Sequence, residues 1–174
     1  MKVTSLKIPD VKLIELDVFE DERGFFYESF NQLKFNEAIG QDISFLQDNY
    51  SKSKKGVLRG LHYQEEPFSQ AKLVQVLAGE VFDVAVDIRK NSKTYGSWVG
   101  EILCAEHKKQ LWIPEGFAHG FYVLSEEADL IYKVNQFYSK THERTIHWNK
   151  NSFNINWPIV DNNVFLSKKD ATAK

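Results

Sequence analysis

Apolar and polar positions alternate along this chain in short runs separated by turn-forming residues, a pattern of extended strands rather than helices. Residues 11–16 alternate imperfectly, and Asp21-Glu22-Arg23-Gly24 turns the chain into residues 25–30. The strongest signal spans residues 72–77 and 81–87, where alternation on both sides of Ala78-Gly79-Glu80 reads as a hairpin. Residues 98–103, 109–113, 120–124, 130–134 and 145–148 continue the series. Only residues 31–39 have helical spacing, with Leu33, Phe35, Ala38 and Ile39 loosely aligned and Gly40 as a stop. Many short strands joined by turns predict an all-β sandwich or barrel. Asp83 and Asp87 lie four apart and so share a strand face, either a polar lumen or a solvated exterior.

Composition narrows the picture. A length of 174 residues predicts a single domain over residues 1–174 with enough chain for a sizeable core. The chain is 43% hydrophobic and 14% aromatic, which excludes a disordered class and suits a β-rich interior. Its net charge of −2 lacks the surplus of cations that nucleic-acid binding needs, so any anion site must be local. Cys104 is the only cysteine, which excludes an intrachain disulfide and a thiolate zinc cluster. It sits in an apparent strand and reads as a small core residue. The first ten residues carry two lysines and no long apolar core, unlike a signal peptide. No stretch approaches the roughly 20 apolar residues of a membrane span. The expectation is a soluble, cytoplasmic protein with neither nucleic-acid nor membrane partners.

Chemistry concentrates around residues 57–64 and 70–74, where Arg59, His62 and Lys72 sit in strand-like stretches among apolar neighbours. A cation for an anion, an imidazole to move a proton and an ammonium for a developing oxyanion form a coherent catalytic set. Pro114-Glu115-Gly116-Phe117-Ala118-His119 has the P-x-G-x-x-H spacing of the second cupin motif. In metal cupins that histidine joins an H-x-H pair. Here the corresponding segment is His62-Tyr63-Gln64, with glutamine where the second histidine would stand. His107, His142 and His147 fall in polar, turn-like contexts and read as surface residues. The histidines are therefore expected to do acid–base or anion work, with no metal site.

Five stretches, residues 21–28, 47–51, 57–64 with 70–74, 81–89 and 111–124, resemble the dTDP-4-dehydrorhamnose 3,5-epimerase family, and Tyr132-Lys133, Tyr138, Glu143 and residues 166–170 also fall where that family would have them. The resemblance implies a jelly-roll (cupin) barrel with extra N-terminal strands and a short helix or helices. It also implies a homodimer that works without metal or cofactor. The implied reaction converts dTDP-4-keto-6-deoxy-D-glucose to dTDP-4-keto-L-rhamnose in dTDP-L-rhamnose-type biosynthesis. The nearest alternative is a 3- or 5-monoepimerase acting on a related nucleotide-linked 4-keto sugar. A metal-dependent cupin and a non-catalytic nucleotide-sugar-binding cupin are less well supported.

By the same resemblance, His62 is the base, because an imidazole accepts a proton near neutral pH. Asp170 orients it from the C-terminal segment, with Asp83 a weaker candidate beside the same histidine. Tyr132 is the acid, and Lys72 stabilises the enolate oxygen. Arg23, Arg59, His119 and Lys169 supply cations or donors for the diphosphate. Gln47, Asn49 and Glu28 offer hydrogen bonds to the pyrimidine and deoxyribose, Tyr138 stacks on the base, and Glu143 is a further ligand-binding position. Arg23 and Glu28 are expected to reach the site of the partner subunit.

Overall fold

The computed structural model describes residues 1–150, 152–159 and 164–173. The N-terminal half contains strands β1 (Lys2–Ser5), β2 (Lys12–Glu15), β3 (Val18–Asp21) and β4 (Gly24–Tyr27), then helix α1 (Gln32–Ile39), β5 (Gln47–Lys54), β6 (Leu58–Gln64) and β7 (Lys72–Ala78). There follow β8 (Glu80–Asp87), β9 (Trp98–Cys104), β10 (Lys109–Ile113), β11 (Phe117–Val123), β12 (Glu127–Val134), β13 (Glu143–Thr145) and a one-turn helix α2 (Lys168–Ala171).

Two antiparallel sheets form a jelly roll. The larger has strand order β1-β2-β10-β7-β12-β5 and the smaller β13-β6-β11-β8-β9, while β3 and β4 form a separate ribbon. Between the sheets, Val74, Leu111 and Leu130 meet Val81, Ala85, Phe117 and Phe121 in one buried cluster. The outer faces are covered as well. Helix α1 lays Phe35 and Ile39 on Leu73 and Trp112 of the larger sheet. Phe153, Ile155 and Trp157 cover Leu61, Val84 and Ala118 of the smaller one. Cys104 is buried, in keeping with its reading as a small core residue. Among the described residues no helix is long and apolar enough to cross a membrane.

Helix α1 begins and ends where the sequence places it. The Asn31 side chain accepts from Leu33 N and Lys34 N, and Gly40 closes the helix in the left-handed region at φ 73°. Its buried face is Phe35 and Ile39, four apart, whereas Leu33 points to solvent.

The hairpin expected at residues 78–80 does not form. Strand β7 pairs with β10 and β12, whereas β8 pairs with β11 and β9 in the other sheet. Gly79, at φ +75°, is where the chain crosses between sheets, and a Cβ there would lie 2.0 Å from Glu127 O. Ser125 Oγ secures the crossing by accepting from Glu80 N at 2.8 Å and donating to Glu127 O at 2.6 Å. Alternation reports which side chains face inward, and it reads the same whether the next strand stays in its sheet or leaves it.

Asp87 occupies neither a lumen nor an outer face. It is fully buried and accepts from Arg89 N, Nε and Nη2 at 2.7–3.0 Å, and from Ser92 Oγ and Thr94 Oγ1, both at 2.6 Å. Burial alone would raise its pKa, but these donors hold it well below the ordinary carboxylate range. It anchors the loop between β8 and β9.

Candidate active site

The site is built where β6 and β11 come unusually close. A Cβ on Gly60 would lie 2.5 Å from Gly120 Cα, and one on Gly120 would lie 2.8 Å from Arg59 O. Only a glycine pair permits that approach, and Gly60 also sits at φ +132°. His62 and His119 then stand opposite each other in register. Strand β7 contributes Lys72, whose Nζ donates to His62 O at 3.3 Å. Strand β12 adds Tyr132, with its ring centroid 6.0 Å from Lys72 Nζ. These four line one cleft of about 470 Å³, together with Arg59, Gln47, Asn49, Tyr138 and Glu143.

Two histidine–carboxylate pairs support the cleft. His62 Nε2 meets Asp170 Oδ1 at 2.5 Å, and Asp170 is 2% exposed. Asp170 arrives from the C-terminal segment, which returns to the sheet through a parallel bridge between Phe165 and Val57. Ser167 caps α2 there and donates to Asp170 Oδ2 at 2.8 Å. Burial pushes the Asp170 carboxyl up, yet the hydrogen bond and charge of His62, with Ser167 and Lys169, hold it below its ordinary value. With Nε2–H donated to this carboxylate, the imidazole lone pair lies on Nδ1.

The resemblance made Asp83 a weaker candidate for a role beside His62, but the structure places it on the other histidine. It is fully buried and pairs with His119 Nε2 at 2.9 and 3.0 Å. Burial lowers the His119 pKa, and the nearby Lys72 and His62 charges add to that while Asp83 opposes it.

Lys72 is an ammonium taken almost out of water. Burial lowers its pKa from 10.5 to about 8, against the opposing attraction of Asp83 and Glu143. Burial also raises the pKa of the Tyr132 phenol, which Arg59 partly offsets. The phenol therefore holds its proton at neutral pH. At the rim, Glu143 accepts from Lys169 Nζ at 2.7 Å and from Tyr138 OH at 3.2 Å. Burial would raise the Glu143 carboxyl, but Lys169 and Tyr138 bring it below its ordinary value. Gln47 donates to Asn49 Oδ1 at 2.8 Å and accepts from Tyr138 N at 3.1 Å. Arg59 Nε donates to Ser53 Oγ at 3.0 Å.

Arg23 and Glu28 lie elsewhere. Arg23 pairs with Asp21 at 2.5 Å where the β3–β4 ribbon turns, and Glu28 pairs with Lys34 at 2.8 Å. Neither lines the cleft of its own chain. Ser51, Gln64 and Gln70 also line it, beyond the residues that the sequence singles out. The spacing of Gln47, Asn49 and Ser51 along β5 was the available signal, since alternate residues share a strand face. Among the described residues no group of three or more His, Cys, Asp or Glu side chains is arranged to hold a metal ion.

A jelly roll that gathers a carboxylate-held imidazole, a buried ammonium and a partly buried phenol around one cleft has the fold of a cupin and the groups that proton transfer would need. The model of the dTDP-4-dehydrorhamnose 3,5-epimerase family matches residues 5–174. The dTDP-4-dehydrorhamnose 3,5-epimerase of Shigella flexneri is 63% identical over 170 residues, covering 98% of this chain and 93% of that protein. That of Pseudomonas aeruginosa is 57% identical over 174 residues, covering 100% and 95%. The crystal structure of a dTDP-6-deoxy-D-glucose-3,5-epimerase from Legionella pneumophila, in complex with dTDP-4-keto-L-rhamnose, superposes with a TM-score of 0.96 at 54% identity. That match covers 99% of this chain and 91% of the other. The chain belongs to the dTDP-4-dehydrorhamnose 3,5-epimerase family and is an isomerase.

Proposed function

We propose that this chain inverts carbons 3 and 5 of dTDP-4-keto-6-deoxy-D-glucose with His62 as base and Tyr132 as acid. The ketone at carbon 4 acidifies the neighbouring C–H bonds. His62 Nδ1 takes the proton from carbon 3 or 5, and the C–H electron pair moves into an enolate whose negative charge rests on the carbon 4 oxygen. The Lys72 ammonium stabilises that oxygen, because a fixed charge in a water-poor site costs no reorganisation as the anion forms. Asp170 stabilises the imidazolium that results. Tyr132 then delivers its proton to the opposite face of the carbon, and exchange with solvent resets both groups. The same cycle at the second carbon completes the conversion to dTDP-4-keto-L-rhamnose.

The nucleotide half falls to Gln47, Asn49, Arg59, His119, Tyr138, Glu143 and Lys169, with Tyr138 stacking on the base. Arg23 and Glu28 act from the second subunit of a homodimer. Supporting that role, the β3–β4 ribbon that bears Arg23 leaves Phe25 57% and Phe26 70% exposed, and apolar exposure on such a ribbon suits a partner. Neither metal nor cofactor takes part, and the enzyme works in the cytoplasm, where a lone buried thiol is at home.

The observation that carries this reading is the convergence of the Asp170-held His62, the buried Lys72 and Tyr132 on one cleft. The test is turnover of dTDP-4-keto-6-deoxy-D-glucose in heavy water, followed by mass spectrometry and proton NMR. Deuterium at carbons 3 and 5 with both configurations inverted is the expected result. Label and inversion confined to one carbon would make the enzyme a monoepimerase, and no exchange at either would remove the proton-transfer assignment.

A further inference from the structure

Gln64 stands two residues after His62, where metal cupins carry the second histidine of their pair, and the chemistry of the sugar leaves it unused. It is 5% exposed and ends β6. Its amide does three things at once. Nε2 donates to Phe68 O at 2.7 Å and to Phe137 O at 3.2 Å, while Oε1 accepts from Ser139 N at 2.6 Å. One planar group thus joins the turn after β6 to the segment that connects β12 with β13.

That connecting segment carries Tyr138 and leads into Glu143. Phe137 and Tyr138 are 58% and 54% exposed, so apolar burial does little to hold it. Side-chain amides hold it instead. Besides Gln64, Gln70 Nε2 donates to Gln136 O at 2.7 Å, Ala71 N donates to Asn135 Oδ1 at 2.8 Å, and Tyr138 N donates to Gln47 Oε1. Gln64 contributes more of these bonds than any other side chain and spans residues 137–139 on both sides of Tyr138.

We propose that Gln64 is a positioning residue for nucleotide recognition: it sets the segment that presents Tyr138 and Glu143 and does not act on the sugar. The proposal rests on the reading that Tyr138 and Glu143 hold the nucleotide. The residue type follows from the task. A primary amide offers two donors and an acceptor in one plane, a neutral imidazole one of each, and a carboxylate no donor at all. A position that served a metal in other cupins here serves as a hydrogen-bond hub for a loop.

The test uses Gln64→Leu, close in volume, and Gln64→Glu, which keeps the acceptor for Ser139 N and loses both donors. Tyr138→Ala serves as a reference. Calorimetry with dTDP is combined with kcat and KM for dTDP-4-keto-6-deoxy-D-glucose and with hydrogen exchange of residues 135–142. Both Gln64 variants are expected to bind dTDP about tenfold more weakly and to raise KM by a similar factor. Their kcat at saturation is expected to stay within about twofold of wild type, because the lost interactions are uniform across the reaction. Faster exchange confined to residues 135–142 completes the expected result. A fall in kcat with dTDP affinity unchanged would place Gln64 at the sugar and overturn the proposal. So would unchanged affinity with unchanged exchange. If Gln64→Leu fails to fold, Gln64→Glu carries the same comparison. Wild-type dTDP affinity in Tyr138→Ala would instead refute the nucleotide reading itself, a separate failure.

Discussion

Lys72 illustrates how a single residue is altered by its surroundings. A strand lysine normally keeps its ammonium in water, but here it is 7% exposed and its pKa is brought down to about 8. Two consequences follow with opposite signs. For catalysis the charged form is the useful one, so kcat should fall as pH rises through about 8. Lys72→Met should lose about 10²- to 10³-fold in kcat at neutral pH, as removal of an oxyanion partner usually does. For stability the charged form is the burden. Between about 8 and the ordinary 10.5 the unfolded chain binds the proton more readily than the folded one, so stability climbs with pH across that window. Below about 8 the cost is fully present, on the order of 3 kcal/mol. Lys72→Met should therefore be more stable than wild type in urea at pH 7, with the gap narrowing by pH 10. A less stable Lys72→Met protein would mean that the ammonium contributes more through its hydrogen bond to His62 O than burial costs it. Arg59, His62 and Lys72 were legible as a set because charged groups in apolar strand segments need a reason to be there. The partner of Asp83 was not legible, because strand spacing tells which face a residue takes and not which side chain lies across from it.

At the scale of the element, the approach of β6 to β11 is what brings two histidines side by side. Gly120→Ala would put a methyl group 2.8 Å from Arg59 O, a backbone atom that has no rotamer with which to yield. The expected cost is about 2–4 kcal/mol in denaturant unfolding. The surviving folded protein should turn over more slowly, because the register of His62 against His119 shifts. A Gly120→Ala variant of wild-type stability would show that the strands separate freely. Helix α1 was readable end to end because its cap residues, Asn31 and Gly40, act through local hydrogen bonds. Strand β5 was missed for the reverse reason. Its inward residues Gln47, Asn49, Ser51 and Ser53 are polar because they face the cleft or bond its residues, so the strand lacks the apolar alternation that marks a core face.

At the scale of the whole molecule, the proposed contribution of Arg23 and Glu28 from a second subunit has a direct test. Arg23→Ala and His62→Ala should each be nearly inactive alone. When coexpressed, half of the dimers are mixed and each mixed dimer carries one intact site, so roughly a quarter of wild-type activity should return. No recovery above the sum of the two separate variants would confine each site to a single chain. The same large scale decides the fate of residues 78–80. The sequence pattern on either side of Gly79 is that of a hairpin, yet packing of both sheet faces sends β7 and β8 into different sheets.

The amino-acid sequence by itself determined an all-β class of fold and the boundaries of helix α1, which depend on local periodicity and capping, while its resemblance to a known family, carried by long ordered motifs, implied the roles of His62, Tyr132 and Asp170. Only the tertiary structure decided that Asp83 belongs to His119, that Asp87 anchors a loop, and that Gln64 holds the segment bearing Tyr138. Those pairings arise from which strands become neighbours and how closely they approach. Neighbour choice is set by burial and steric fit summed over the whole jelly roll, which no short window of sequence contains.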